Sequence, residues 1–380
     1  MAVCIDNKYR KLLEKNMYYT LGLLSFILTA CFINMFHKPA KIIGLVDKPS
    51  CRKTHCGNIP LTGGLSIFCS ISVITYLHKD LFGLCYPWCI ASVILITVAL
   101  LDDLYNLNPI IRLLSQTIAT LIIIIWGNVY IVELGDLFGF GSISLNSLSI
   151  LFTLFCVVGV INSINMIDGI DGLAGGIVLG VLFFYGILTF FAGFNMLFLF
   201  IFSLFCSVLA FMYFNVRIPW RYQGKVFLGD TGSMMLGFSL SWISIYLSDS
   251  RNHLLQPMAT VWILGVPLMD TISIMFRRIS KKQSPFTADR EHIHHVLLRA
   301  GFNQSQTVII IISISLIMGS VGLIGSYIDI PSYIMFYAFL IVFIVYNILI
   351  CNTRKMPNTI SNINHEESLN SAAFVRNNLE

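Results

Sequence analysis

Long apolar runs recur along this chain, and they constrain its fold more than any other feature. A helix needs ~20 apolar residues to cross a bilayer. Eleven runs approach that length, at 18–36, 60–78, 88–101, 113–127, 147–164, 173–192, 196–214, 231–247, 257–276, 307–326 and 333–351. Lipid offers no partners to backbone N–H and C=O groups, so each run is expected to be helical. The sequence therefore predicts an all-α, polytopic membrane protein with eleven transmembrane helices.

The composition agrees with that class. Of the 380 residues, 56% are hydrophobic and 11% charged, whereas a soluble domain is about 25% charged. The net charge of +5 comes from basic connections between the runs, so it does not indicate nucleic-acid binding. We divide the chain into an N-terminal extension (1–17), a transmembrane domain (18–351) and an Asn- and Ser-rich cytoplasmic tail (352–380) that is disordered by composition.

Lysine and arginine are concentrated in alternate connections between the runs. The basic connections are 37–56, 215–225 and 277–299, while those near 79–87, 128–146, 248–256 and 327–332 carry little positive charge. Basic connections stay in the cytoplasm. The N-terminal tail, with four basic and two acidic residues, favours the opposite arrangement. Following the majority, we expect the N-terminus outside and the C-terminus in the cytoplasm.

Four motifs place ionisable residues at the mouths of predicted helices. They are Asp102 and Asp103 in ALLDDLYNLNP, Asp168 and Asp171 in NSINMIDGIDGLAGG, Asp230 in VFLGDTGSMMLG, and the sequence DREHIHH at 289–295. An even number of predicted crossings separates each pair of motifs, so all four are expected to open on the cytoplasmic face. Ionisable groups in a membrane protein are costly unless they face a polar cavity, which makes a functional site the better interpretation.

The motif at 162–176 combines acids with glycines. Asp168 and Asp171 lie on one face if the motif is helical. Its glycines permit close approach, and the start of the next helix offers free amides to a phosphate. Acids alone would repel phosphate, but Mg²⁺ typically binds one or two carboxylates together with phosphate oxygens. The pattern predicts a Mg²⁺ site, with Mn²⁺ as an alternative, and a donor with a leaving phosphate.

These motifs, taken together, resemble those of the polyprenyl-phosphate N-acetylhexosamine-1-phosphate transferases. The matching segments are the DD pair at 102–103, NxxNxxDGxDGLAGG from Asn162, KVFLGDTGS from Lys225, SPFTADREHIHH from Ser284 and LVDKPSCRKTHCGNIPLTGG at 45–64. The resemblance extends over about 37–350. Within the family the chain is most similar to the WecA-type branch, which transfers GlcNAc-1-phosphate from UDP-GlcNAc to undecaprenyl phosphate.

The resemblance implies that the chain catalyses the same reaction in the bacterial cytoplasmic (inner) membrane. UMP would be released, and the lipid product would start a cell-surface polysaccharide such as O-antigen. The partners implied are UDP-GlcNAc, undecaprenyl phosphate and membrane lipid, with no nucleic acid and with a homodimer left open.

The resemblance also implies roles for the acidic residues. Asp230 and Asn165 would coordinate the metal, with Asp102 and Asp103 beside it and the incoming lipid phosphate. Asp168 and Asp171 would shape the nucleotide and metal region. A lipid phosphate oxygen would attack the β-phosphorus of the sugar nucleotide, and Asp102 or Asp103 would accept the residual proton. A two-step route through a covalent aspartyl intermediate stays open.

Nine further residues are candidates for binding the substrates. By resemblance, Phe227 would stack on uracil, Asn215 would contribute to the donor site, and a cytoplasmic loop would hold the diphosphate. The remaining phosphate candidates are basic. The full set is Lys53, His55, Arg112, Asn215, Phe227, Arg290, His292, His294 and His295.

The EHIHH motif and Asp270 each admit a second interpretation. The sequence EHIHH lacks the His-Glu-x-x-His order of zinc proteases, so diphosphate binding by partly charged imidazoles is the better use. Asp270, inside the ninth run, either pairs structurally with Arg277 or supports the site.

Other functions remain open at this stage. Within the family, the donor is UDP-MurNAc-pentapeptide or another UDP-N-acetylhexosamine. A secondary transporter would place its acids near the bilayer midplane, in repeated halves, and a CDP-alcohol phosphotransferase would have fewer spans. Nucleotide release separates these classes, because UMP, CMP and no nucleotide are their respective products.

Overall fold

The computed structural model describes residues 2–48, 57–217, 221, 223–252, 254–282 and 292–354, with side chains described only between 17 and 351. Helices make up nearly all of its regular structure. One short antiparallel ribbon, β1 (Val46–Asp47) and β2 (Ile59–Pro60), pairs Val46 with Pro60 and Asp47 with Ile59. The predicted all-α membrane fold is confirmed.

Thirteen α-helices follow one another in the described parts of the chain. They are α1 (Ala2–Ile43), α2 (Gly63–Leu77), α3 (Lys79–Tyr105), α4 (Pro109–Ile125), α5 (Ser149–Ile167), α6 (Leu173–Phe191), α7 (Asn195–Asn215), α8 (Gly229–Ser248), α9 (Pro257–Ile263), α10 (Gly265–Ser280), α11 (Ile293–Arg299), α12 (Gln304–Tyr327) and α13 (Ser332–Arg354).

The predicted count of eleven transmembrane helices is not confirmed. Helices form at all eleven positions, but within the described residues seven are long and apolar enough to cross a membrane, or eight if α9 and α10 form one bent span. The helices α2 and α4 have 15 and 17 residues. At 1.5 Å per residue they measure about 22–26 Å, less than the ~30 Å hydrocarbon layer.

Helix α8 falls outside that count because it is polar and central. It has 20 residues, many of them serine, and most are buried against other helices. Its hydroxyls are hydrogen-bonded inside the bundle: Ser239 accepts from the Trp88 indole N–H at 3.0 Å, and Ser244 pairs with the Tyr185 hydroxyl. Hydropathy alone therefore understates how deeply this helix is embedded.

The ninth apolar run forms two helices bent by 83° at a break of a single residue. The break lies at Leu264, between α9 and α10, and Pro267 follows in the first turn of α10. Proline has no N–H to donate to the carbonyl four residues earlier, which accounts for the interruption here. The bend sets the direction of α10, which carries Asp270.

The first basic connection is fastened to the start of α8. Phe227 N–H donates to the Pro60 carbonyl, and Gly63 and Gly64 N–H donate to the carbonyls of Phe227 and Leu228, at 3.0 to 3.2 Å. These bonds place the ribbon and the start of α2 beside the segment that leads to Asp230.

Gly64 provides a test of this contact. A Cβ at Gly64 would lie 2.1 Å from Gly232 Cα and 2.2 Å from its nitrogen, both backbone atoms that cannot rotate away. Gly64→Ala should destabilise the protein by about 3 kcal/mol, the upper end of typical overpacking costs. Gly83, in α3, meets nothing within 4 Å, so Gly83→Ala is the matched control. Equal melting temperatures of the two purified variants in detergent would contradict this packing.

Candidate active site

Asp102 and Asp103 lie in the last turn of α3. The helix ends at Tyr105. Asn106, the next residue, has φ 52°, and the backbone turns so that Leu107 N–H donates to Asp102 Oδ1 at 2.7 Å. Asp102 is buried. A buried carboxylate needs compensating donors, and Leu107 supplies one of them.

Arg112 supplies a second donor and links two motifs. Its Nη1 lies 3.0 Å from Asp102 Oδ2 and 3.0 Å from Asp230 Oδ2. The Arg112 and Asp230 side chains are both about one-third exposed, at 31% and 32%, so this pair is at the edge of the protein. Arg112, which the sequence predicts to bind phosphate, holds the α3 and α8 carboxylates together in the structure.

Asp103 caps the start of α8. Its carboxylate accepts from Asp230 N–H (3.2 Å), Thr231 N–H (3.4 Å) and the Thr231 hydroxyl (2.9 Å). Free amides at a helix N-terminus favour an acidic partner. Gly229 has φ +72°, and a Cβ there would lie 2.9 Å from Asp103 Oδ2. Both the backbone conformation and the closeness of Asp103 therefore require glycine at this position.

Asn165 joins the same group from α5. Its amide nitrogen donates to Asp230 Oδ1 and to the Ser233 hydroxyl, each at 2.8 Å. One turn earlier, the Asn162 amide donates to Gln116 Oε1 of α4 at 2.9 Å. The metal candidates Asp230 and Asn165 are thus direct neighbours.

The segment that contains Asp168 and Asp171 is not helical. The two residues were expected to lie on one face only if this segment formed a helix, so that expectation does not hold. Helix α5 ends at Ile167 and α6 begins at Leu173. Asp171 accepts from Arg217 Nε at 2.8 Å and from Gly224 N–H at 3.1 Å. The turn therefore directs Asp171 towards the loop after α7.

Asp168 differs from the other acids because its carboxylate accepts no hydrogen bond from the described residues. Its pKa is raised to about 7, first by burial and then by the negative charges of Asp230, Asp171 and Asp103. Asp168 therefore titrates close to neutrality and is available to a proton, a cation or a substrate.

The expected free amides at the start of α6 are partly occupied. Gly172 N–H donates to Asn215 Oδ1 at 2.7 Å, and Leu173 N–H donates to the Ile170 carbonyl at 3.1 Å. Asn215 is buried and also donates to the Val226 carbonyl at 2.9 Å. Asn215 thus ties the ends of three segments together, a structural role beside the substrate-binding role expected for it.

Phe227 lies three residues before Asp230, and its backbone is hydrogen-bonded to Pro60 and Gly63. Its side chain is half-buried, and its ring lies against Gly224, where a Cβ would be 3.3 Å from Phe227 Cε1. This places the ring next to the Asp171–Gly224 hydrogen bond. Uracil stacking by Phe227 stays a prediction.

The three histidines lie at and just after the start of α11. The His292 and His294 rings are nearly parallel, at 9°, with centroids 5.7 Å apart, and the His294 and His295 centroids are 4.2 Å apart. A Cβ at Gly169 would lie 2.4 Å from His294 Nε2. The histidines are therefore packed against the turn between Asp168 and Asp171.

A charged imidazole at His294 is not what the structure favours. The ring is buried, and no hydrogen-bond partner for either of its nitrogens lies among the described residues. Burial and the neighbouring His295 and His292 lower its pKa to about 3. His294 is therefore neutral at physiological pH, and the expectation of a partly charged ring is corrected for this residue.

Asp270 was expected either to pair with Arg277 or to support the site. It receives hydrogen bonds from His292, from the Ile293 backbone and from Tyr346. These partners link it to the histidine segment, so of the two alternatives the support of the site is the one with observed contacts.

Three candidates, Lys53, His55 and Arg290, lie outside the described residues. Four residues that contact the site were not predicted from the sequence: Arg217, Thr231, Ser233 and Tyr346. The sequence does contain a hint for two of them. Ser233 is about one helical turn after Asp230, and Arg217 lies in the basic connection 215–225. Thr231 and Tyr346 act through contacts that no local pattern reveals.

The donor set fits Mg²⁺. Within the described residues no group of three or more His, Cys, Asp or Glu side chains is placed to hold a metal ion without further ligands. Mg²⁺ usually takes one or two carboxylates and fills its other positions with water and substrate phosphates. Asp230 and Asp102 share one guanidinium, and Asp168 nearby carries an uncompensated carboxyl. This excess of negative charge suits a divalent cation.

The fold and the site together define a polytopic membrane transferase whose acidic residues gather at the ends of its helices. Residues 86–248 match the family described as Glycosyl transferase family 4. Proteins named undecaprenyl-phosphate alpha-N-acetylglucosaminyl 1-phosphate transferase in several organisms are similar to this chain. The Escherichia coli K12 protein is 34% identical over 89% of this chain and 92% of its own length.

Two further relatives with the same name have slightly higher identity to this chain. The Haemophilus influenzae protein is 36% identical over 81% of this chain and 86% of its own length. The Pasteurella multocida protein is 37% identical over 86% and 92%, respectively. The chain belongs to the family of polyprenyl-phosphate N-acetylhexosamine-1-phosphate transferases, as its motifs predicted.

The raised pKa of Asp168 predicts a pH-dependent stability. The folded-state pKa of about 7 lies above the ordinary value of 3.8, so the folded protein binds this proton more tightly than the unfolded chain. The stabilisation is fully present below about pH 4 and is lost as the pH rises through 7.

Asp168→Asn should remove this dependence and raise the melting temperature of EDTA-treated protein at pH 8 relative to wild type. Melting curves between pH 5 and 8 measure it. Asp80→Asn, at the exposed opposite end of α3, is the control. Parallel pH profiles for wild type and Asp168→Asn would contradict the assignment.

Proposed function

We propose that this protein transfers GlcNAc-1-phosphate from UDP-GlcNAc to undecaprenyl phosphate and releases UMP. The observation that carries the proposal is the gathering of Asp102, Asp103, Asp168 and Asp230 around Arg112 and Asn165 at helix ends, in a chain whose relatives are named for this reaction. The lipid product would start a cell-surface polysaccharide such as O-antigen.

Asp230 is the metal ligand we propose, with Asn165 beside it and Mg²⁺, or Mn²⁺, as the ion. When bound, such an ion neutralises phosphate charge. The hydrogen bond from Asn165 at 2.8 Å holds the Asp230 side chain, and the cap formed by Asp103 holds the Asp230 backbone. Positioning of this kind is the main task in phosphoryl transfer.

Proton transfer places little demand on the site. A phosphate monoester has a second pKa of about 6, so the lipid phosphate is largely ionised at neutral pH. Asp102 and Asp103 already accept hydrogen bonds with both oxygens. Asp168 accepts no such bond from the described residues, so it is better suited to accept the residual proton. One-step and two-step displacement both remain compatible with this arrangement.

We propose the bacterial cytoplasmic membrane as the location, with the N-terminus outside and the C-terminus in the cytoplasm. His37, in the last part of α1, lies near Lys225. Tyr346, in the last part of α13, donates a hydrogen bond to Asp270. Both support a site on the side of the basic connections. Labelling of a cysteine placed at Ser250 by an impermeant reagent only from the cytoplasm would contradict this orientation.

The donor sugar is the first test. Purified protein with undecaprenyl phosphate and Mg²⁺ should release UMP from UDP-GlcNAc, and UDP-MurNAc-pentapeptide should be a poor donor at the same concentration, because it needs a wider mouth. UMP is quantified across a short panel of UDP-N-acetylhexosamines. Preference for the muramyl donor would reassign the protein within its family, and transport without nucleotide release would exclude the transferase.

The metal assignment is the second test. Asp230→Asn should lower UMP release on the order of a hundredfold or more, as does loss of one key charge-stabilising group in other active sites. Asp80→Asn is the matched control, because it is exposed and lies far from the site in α3. Membranes with equal amounts of each protein are compared. Near-wild-type release by Asp230→Asn would exclude Asp230 as the ligand.

A further inference from the structure

Asp270 is a buried carboxylate with three hydrogen bonds to groups outside its own helix. Only 1% of the residue is exposed. Its Oδ2 lies 2.7 Å from His292 Nδ1, and its Oδ1 accepts from Ile293 N–H at 2.9 Å and from the Tyr346 hydroxyl at 2.8 Å. Asp270 thus joins α10 to the start of α11 and to α13.

A short path of contacts leads from Asp270 to the acids of the site. His292 stacks on His294 with nearly parallel rings. His294 in turn lies against Gly169, in the turn between Asp168 and Asp171. The position of His292 relative to the site therefore depends on Asp270, which holds the Nδ1 atom of its ring.

The bond to Asp270 determines where the His292 ring carries its proton. An ionised carboxylate only accepts hydrogen bonds, so Nδ1 must carry a proton to make the 2.7 Å contact. Nε2 is then the nitrogen left for other partners. When a diphosphate lies at Nε2, the ring stands between two anionic groups, which together stabilise positive charge on it, so Nε2 can donate a charge-assisted bond.

We propose that Asp270 is a positioning residue that holds the Nδ1 proton of His292, so that Nε2 serves as a charged donor to the diphosphate of the sugar nucleotide. The proposal rests on the proposed function, in which His292 binds that diphosphate. Tyr346 and the Ile293 amide hold the other oxygen and fix the plane of the carboxylate.

Asp270→Asn tests this with little change in shape. The retained Oδ1 can still accept from Ile293 N–H and Tyr346. The new amide replaces Oδ2 and donates to His292 Nδ1, so the proton moves to Nε2 and the ring becomes a neutral donor. Replacing a charge-assisted bond by a neutral one should raise KM for UDP-GlcNAc about five- to tenfold, with kcat close to the wild-type value.

A purely structural role predicts another result, namely a lower kcat from loss of folded protein at unchanged KM. That outcome, or wild-type kinetics, would overturn the proposal. Tyr337→Phe is the matched control, because Tyr337 lies in the same helix as Tyr346, is 47% exposed and does not contact Asp270; its KM should stay close to wild type. In a His292→Ala background, Asp270→Asn should raise KM no further, and an additional five- to tenfold rise would show that Asp270 acts independently of His292.

A spectroscopic readout keeps the proposal separate from the assignment of the reaction. In protein labelled with ¹⁵N-histidine, the His292 signals are identified among the eight histidines by their loss in His292→Ala. Nδ1 should be protonated in wild type and unprotonated in Asp270→Asn. If wild type released no UMP, the proposed function would fail while this measurement still decided the Asp270–His292 contact; an unprotonated Nδ1 in wild type would overturn it.

Discussion

The carboxylate of Asp103 at the start of α8 is the contact on which the rest of the site depends. It accepts hydrogen bonds from the amides of Asp230 and Thr231, which would otherwise lack an acceptor at the start of the helix. The contact also fixes α8 against α3, and it holds Asp230 within reach of Arg112 and Asn165. Gly229 makes the approach possible, because any side chain there would collide with the carboxylate.

Charge balance explains why these acids are a site and not only a structural cluster. Arg112 is shared by Asp102 and Asp230, and Asp171 has its own partner in Arg217. Asp168 has no such partner among the described residues, and burial together with the neighbouring carboxylates raises its pKa. Buried ion pairs contribute little net stability, so an excess of acid is costly to the fold. A metal ion and a phosphorylated substrate would relieve that cost when they bind.

The sequence predicted the helical class, the convergence of the four motifs on one side and the family. It did so because hydropathy and motif spacing are local properties. The predicted count of eleven spans is not confirmed by helix length and hydropathy, since α8 is polar yet enclosed by other helices, and α9 and α10 divide one apolar run at Leu264. The sequence also could not decide between two partners for Asp270, because Arg277 is near in sequence whereas His292 and Tyr346 are brought to it by the packing of α11 and α13.

The contact between Tyr346 and Asp270 has a consequence for how the protein is made. Membrane helices are synthesised from the N-terminus, and α13 is the last helix described. The acids carried by α3, α5 and α8 can assemble while the ribosome is still translating the remainder. The set of contacts that holds His292 is complete only after the final helix has been released and has packed against α10. A chain that stops before α13 would therefore carry the acidic half of the site without the fully supported histidine half.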